Sequence, residues 1–386
     1  MVSDINMFFE PVPASLYEGA EVGTIAYRIE AFQGQSFPEI VAGSVVLFSV
    51  DEWRGSRNQG SAAAAVAVRK ELGRLKDHLG VLRIIDLGTI KAGESLSDTY
   101  YAVSTSVSEI IKKGGIALLL GGSQDLTYAN YLAYERLEQV VNLVSIDARF
   151  DIGDVQEEVT ADRYLQKIIL HQPNILFNFS NLGYQAHHVS PSEVDLMKKM
   201  YFDVYRLGEI QQSILNVEPV VRNADMVTFD LSSIRSSDHP ANHLSEPNGL
   251  YGEEACAIAR YAGLSDKLTS FGLYNHFDEG STHSSKLVAQ IMWYFIYGVA
   301  FRMRDYPFAA KDEYTKYIVT LEKGAYDVVF YKSNKSDRWW MEVPYPSKRG
   351  VKYQRHFMIP CNYSDYQTAC NDDIPDRWWQ TFQKLG

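Results

Sequence analysis

Cysteine is nearly missing from this sequence: Cys256, Cys361 and Cys370 are the only three in 386 residues. So few, so widely spaced, exclude a disulfide framework and a cysteine-based zinc motif, and they fit a reducing, cytoplasmic compartment. There is no surplus of positive charge. Lys and Arg number 37 against 48 Asp and Glu, and the net charge of −11 argues against a surface built to grip nucleic acid. Residues 1–15 have no basic stretch followed by an apolar run, so no signal peptide is expected. The most apolar stretch, 291–301, is too short to cross a bilayer and reads as a buried helix. No low-complexity tract and no long internal repeat interrupts the chain.

What remains is an ordinary globular composition, 46% hydrophobic and 22% charged, in a chain long enough to bury a full core. Short runs of Val, Ile and Leu at 45–50, 82–87, 116–120, 143–146, 175–179 and 226–229 suit strands buried on both faces. Segments with helical spacing lie between and after them, at 61–75, 95–113, 126–140, 190–200, 253–262 and 284–301. Ser190-Pro191-Ser192-Glu193 is a helix start. The alternation predicts an α/β fold with three α-β-α layers around a mainly parallel sheet. It divides the chain into an N-terminal segment 1–40, a main domain 41–304 and an aromatic-rich extension 305–386 packed on the main domain. The extension carries Trp339-Trp340 and Trp378-Trp379, read as packing residues, with a partner surface as the functional alternative.

In such a sheet, functional groups collect where strands end at their C-termini. Three ends stand out: Gly121-Gly122-Ser123-Gln124-Asp125, Asp147-Ala148-Arg149-Phe150-Asp151 and Asp230-Leu231-Ser232. Carboxylates at several ends of one sheet can converge on one crevice. Asp125 is expected to cap the helix that follows it. His239 and His243 lie four apart, but Pro240 intervenes, and they read as a chance pair. His187, His188 and His276 read as surface or packing residues.

These motifs, in this order, resemble the ureohydrolase family over roughly residues 40–300: arginases, agmatinases and, most nearly, formimidoylglutamases. The family's early Gly-x-x-x-Asn-x-Gly loop looks like Gly55 through Asn58 to Gly60. Its Gly-Gly-x-His turn is matched by Gly121 to Gln124, its Asp-Ala-His-x-Asp by Asp147 to Asp151, and its Asp-x-Asp by Asp230 to Ser232. A later Pro-x-Gly turn is similar to Pro247-Asn248-Gly249. The resemblance implies the arginase-like fold and a pair of manganese ions that activate a bridging hydroxide against a guanidino or formimino carbon. Such ions sit about 3.5–4 Å apart and need an oxygen- and imidazole-rich shell.

The departures fall on the ligands. Where the family's pattern has two histidines and an aspartate, this chain has Gln124, Arg149 and Ser232. By that pattern one metal would see Gln124, Asp147, Asp151 and Asp230. The other would see Arg149 and Ser232 in place of its private ligands, and a guanidinium cannot ligate a metal. Arg149 is therefore expected to replace one cation and to pair with Asp147 or Asp230. Asn58 and Gln166 stand at positions the resemblance places on the substrate side, and the stretch 272–275 lacks the family's substrate-contacting glutamate.

Two functional readings follow. In the first, the dinuclear manganese centre and its hydrolytic activity are lost, no cofactor is needed, and the protein binds a protein partner or a small molecule. In the second, it is a metal-dependent hydrolase of non-peptide C–N bonds in a linear amidine. That enzyme would use a single Mn, Mg or Ca ion at Asp147, Asp151, Asp230 and Gln124. Neither reading involves nucleic acid or a membrane. Family members are often trimers or hexamers, so a homo-oligomer is compatible with both.

Overall fold

A computed structural model describes residues 5–56, 60, 62–153, 159–277, 281–307, 311–321, 326–344 and 356–385. Ten strands form the main sheet: β1 (Phe9–Glu10), β2 (Ile29–Ala31), β3 (Val45–Asp51), β4 (Ile84–Lys91), β5 (Ile116–Leu120), β6 (Val141–Ile146), β7 (Leu176–Tyr184), β8 (Asp203–Arg206), β9 (Met226–Asp230) and β10 (Ser270–Tyr274). Their order is β1-β4-β3-β5-β10-β9-β6-β7-β8, with β2 paired to β4. Only β1 runs antiparallel to its neighbour.

The predicted strands are all present, with β4 running to Lys91 and β7 to Tyr184. They are mostly apolar because both faces are covered, with buried polar residues such as Asp86, Asn142 and Asn181 among them. Val45, Leu47, Leu118 and Leu120 face one apolar layer, formed with the helices Ala62–Arg74, Gly252–Leu264 and Thr282–Ala300. Val46, Phe48, Ala117 and Leu119 face the other, formed with Leu96–Lys112, Leu126–Arg136 and Tyr164–Leu170. Alternate residues feed alternate layers, as a period of two requires. Ser190 caps the helix Pro191–Lys199 with Glu193 completing the capping box, as its sequence predicts. No helix among the described residues is long and apolar enough to cross a membrane.

Beyond the main sheet, β11 (Tyr314–Leu321), β12 (Tyr326–Ser333), β13 (Trp339–Pro344) and β14 (His356–Cys361) make an antiparallel meander. The adjacent tryptophans of β13 point to opposite faces. Trp339 joins Phe330, Met341, Trp378 and Phe382 in the extension's own core, under the helices Tyr363–Cys370 and Asp376–Leu385. Trp340 lies on the opposite face, where the Arg222 guanidinium sits 4.4 Å from the centre of its ring. Trp379 remains half exposed.

Arg222 is the latch between the two sheets. It is buried, ion-paired to Glu218 at 2.8 Å, and its Nη2 donates to the carbonyls of Trp339 at 3.1 Å and Cys361 at 3.0 Å. Arg222→Met strands both carbonyls and leaves Glu218 with Arg338 alone, at 3.4 Å. We expect a loss of roughly 3 kcal/mol in chemical denaturation, with earlier proteolytic cleavage of the extension than of the main domain. Simultaneous cleavage of both would show that the latch is not local.

Candidate metal and ligand site at the strand ends

The neighbours β5, β10, β9 and β6 bring their C-terminal ends together, and each turns sharply off the sheet. After β5, Gly121 and Gly122 adopt φ of 89° and 76°. A Cβ on Gly122 would lie 2.2 Å from Leu126 and 2.9 Å from the Glu52 carbonyl, so the turn admits only glycine there. After β6, the Asp147 carboxylate closes its own turn, with Oδ1 accepting from the Arg149 N–H at 2.8 Å. After β9, Asp230 does the same with the Ser232 N–H at 2.7 Å. Asp151 follows in a left-handed conformation, φ 54°, which aspartate tolerates better than most residues. From the end of β10, Asn275 Nδ2 donates to the second oxygen of Asp230 at 2.8 Å.

Asp147, Asp151 and Asp230 are thereby buried together, and one oxygen of each lies within 4.8 Å of the others. Asp147 Oδ2 and Asp151 Oδ2 accept no hydrogen bond among the described residues. Crowding acids in an enclosed place disfavours charge. Burial, then the charges of Asp151 and Asp230, holds Asp147 well above the usual carboxylate range. Burial pushes Asp151 up to about 7, and burial also raises Asp230. The triad must therefore take up protons or a cation. A cavity of about 340 Å³ opens onto it, with Gly55, Ser56, Arg149, Ser232, His243 and Asn275 among its other walls.

Arg149 does not pair with the triad, which corrects the expectation drawn from its position. No ion pair within 4.0 Å joins it to Asp147, Asp151 or Asp230; its Nη2 instead meets His188 Nδ1 at 3.2 Å. Asp147 Oδ1 is taken by the Arg149 main chain and both oxygens of Asp230 by Ser232 and Asn275, while the guanidinium, held on His188, does not reach Asp147 Oδ2 or Asp151 Oδ2. The guanidinium still eases ionisation of Asp151 and Asp230 from a distance. Gln124 is buried, with Nε2 donating to Thr228 Oγ1 at 2.9 Å and Oε1 left without a partner. Gln166 does not line the cavity; its amide donates to the Gly153 carbonyl at 2.7 Å. Asn58 lies outside the described residues.

Asp125 does not cap its helix. Its carboxylate accepts from Ser123 Oγ and, at 2.6 Å, from the Tyr100 hydroxyl. It also abuts Gly55, where a Cβ would fall 2.0 Å from Oδ1, and so holds the cavity-lining loop against the site. His239 and His243 are not a ligand pair. His239 stacks on His276 with Nε2 to Nδ1 at 3.1 Å, and burial lowers the two rings to about 3 and about 4. His243 faces the cavity against Phe277. Sequence reading assigned Asn275 no role at the site and took His188 for a surface or packing residue, whereas it meets Arg149. Asn275 would have been found had β10 been recognised as a strand with a polar residue at its end.

A doubly wound sheet with carboxylates gathered at adjacent strand ends has the build of an α/β protein that holds a metal or polar ligand at its switch point. The chain belongs to the arginase family, whose model matches residues 43–298. It is similar to the formimidoylglutamase of Geobacillus kaustophilus, with 25% identity over 57% of this chain and 72% of that protein. Among solved structures it resembles Trypanosoma cruzi formiminoglutamase with manganese, at TM-score 0.62 and 18% identity, covering 67% of this chain and 94% of the other. The Bacillus subtilis formimidoylglutamase aligns at TM-score 0.61 and 16% identity over 70% and 96%.

Proposed function

We propose that this chain is an arginase-family protein without the two-metal hydrolytic centre, whose cavity serves binding rather than cleavage of an amidine. The carrying observation is that Arg149 and Ser232 both line the cavity at positions where the family's pattern has private ligands of one metal. A guanidinium remains protonated and donates only. It repels a cation at the distance over which it attracts Asp151 and Asp230.

The other half of the centre suits one hard cation. Among the described residues Asp147 Oδ2, Asp151 Oδ2 and Gln124 Oε1 are buried acceptors without hydrogen-bond partners, and oxygen donors of this kind select Mg, Mn or Ca. A bound divalent ion would supply Lewis acidity and offset the charge of the triad. The chain's own contribution is to fix the donors: Asn275 and the Ser232 N–H orient Asp230, and the Arg149 N–H orients Asp147. These acceptors also support the second reading, a single-ion hydrolase of a linear amidine. The free thiols Cys256, Cys361 and Cys370 suit a reducing cytoplasm.

Metal analysis of protein prepared with manganese, together with assays for ammonia, urea and formamide released from arginine, agmatine and formiminoglutamate, separates the readings. At most one ion per chain and no release is the expected result. About two tightly held ions would sink the proposal, and release with one ion would establish the second reading.

A further inference from the structure

We propose that the cavity over Asp147 and Asp230 is a receptor for a small oxyanion, a carboxylate or a phosphate, seated on the guanidinium of Arg149. The inference rests on the binding reading of this site and names its ligand class.

The observation behind it is an unspent fork of donors. A guanidinium carries five N–H groups. Arg149 is only partly exposed and lines the cavity, yet its side chain's hydrogen bond among the described residues goes to a neutral acceptor, His188 Nδ1 at 3.2 Å. Several enclosed arginines elsewhere meet acids: Arg69, Arg222, Arg338 and Arg377 lie 2.8, 2.8, 3.4 and 3.8 Å from a carboxylate oxygen, while Arg302 spends its donors on the carbonyls of Gly263 and Leu268. Five carboxylates line its cavity, those of Asp147, Asp151, Asp162, Asp230 and Glu246, and among the described residues Arg149 forms no ion pair within 4.0 Å with any of them. Asp147 Oδ1 and both oxygens of Asp230 are committed to main-chain N–H groups and to Asn275, and the guanidinium does not reach the remaining oxygens, Asp147 Oδ2 and Asp151 Oδ2, so the fork stays open.

His188 gives the fork a direction. With Nδ1 facing Arg149, the ring presents its other nitrogen, Nε2, as the site of its proton, buried and without a hydrogen-bond partner. Glu246 stands 3.9 Å from that nitrogen. The guanidinium is thus tethered at one Nη, while the rest of its planar edge is available for paired N–H···O bonds. Planar recognition of carboxylate or phosphate is what arginine does and lysine does not. A space of about 340 Å³ admits a small metabolite and not a peptide. A divalent ion on the triad would remove the repulsion between the acidic floor and an incoming anion, so binding should strengthen when magnesium is present.

Calorimetric titration of the full chain with succinate, glutarate and inorganic phosphate, with and without magnesium, tests this. At least one probe should bind, more tightly with magnesium. Arg149→Gln should weaken it tenfold or more, Arg149→Lys should recover only part of that loss, and Arg83→Gln on the far surface should change nothing. Preference for phosphate or for the dicarboxylates identifies the source of the oxyanion. If Arg149→Gln fails to fold, Arg149→Lys decides, since it keeps the charge and removes the fork. Failure of every probe to bind the native chain, or native-like affinity in the folded Arg149 variants, overturns the inference. Hydrolysis of an amidine would instead overturn the functional reading and leave Arg149 as an anion seat.

Discussion

Stripped of divalent ions, the protein should become less stable as the pH rises from about 4 to about 8, and Asp151→Asn should flatten part of that loss. The folded state holds the Asp151 proton up to about 7, against 3.8 for the free side chain. Between those values the folded chain binds more protons than the unfolded chain, so stability falls as pH rises. The contribution is complete below the lower value and gone above the upper one. A displacement of this size corresponds to about 4 kcal/mol. Asp147 is displaced in the same direction by burial and by the charges of Asp151 and Asp230, and Asp230 by burial, which deepens the loss. A divalent ion reverses the trend, because it binds the ionised triad and competes with protons. Manganese or magnesium should therefore stabilise the protein at about pH 8 and have little effect at about pH 5. The measurement is the free energy of unfolding in denaturant across this range, with chelator or metal. A pH-independent value in chelator, or an unchanged slope in Asp151→Asn, would mean that the triad is not a closed acidic cluster.

The second large effect concerns the count of ions. Combining Arg149→His, Gln124→His and Ser232→Asp should raise manganese binding from at most one ion per chain to about two. Arg149→His removes a fixed positive charge and adds a neutral ligand at a wall of the cavity. Ser232→Asp adds a fourth carboxylate beside Asp230, and Gln124→His replaces an amide fixed on Thr228. The single change Ser232→Asp should destabilise the metal-free protein, since it adds charge to an already crowded floor, whereas in the triple variant a second ion compensates it. Elemental analysis after dialysis, with calorimetric titration of manganese, reads the outcome. If the triple variant still takes one ion, the three substitutions are not what separates this chain from a two-metal site.

The main sheet was largely legible because buried parallel strands carry dense runs of apolar residues. The runs at 116–120 and 226–229 correspond to β5 and β9 almost residue for residue. Strand β10 was not legible, because Gly272 interrupts a short run, and its side of the site went unseen with it. β1, β2 and β8 are too short to carry a pattern. In the extension's meander β11 and β12 mix exposed and buried positions, and the tryptophans announced packing without announcing strands. At the site, residue identities pointed to the converging acids, since their positions follow from strand ends. Hydrogen-bond partners did not follow. Asp125 stands where a cap would, yet Tyr100 and Ser123 claim its carboxylate. His239 and His276, 37 residues apart, meet only through tertiary packing.

The turns after β6 and β9 bear on how such a site changes over evolutionary time. Asp147 and Asp230 use their side chains to close those turns, while Arg149 and Ser232 contribute only main-chain N–H groups. Replacing either aspartate would cost the backbone as well as the cavity. Replacing the residue two positions on costs the backbone nothing. The acidic floor is thus anchored by chain geometry whether or not a metal is used, and the freedom to drift lies at positions 149 and 232. Relatives sorted by those two positions, rather than by their aspartates, would divide into those equipped for two ions and those that have exchanged one for another chemistry.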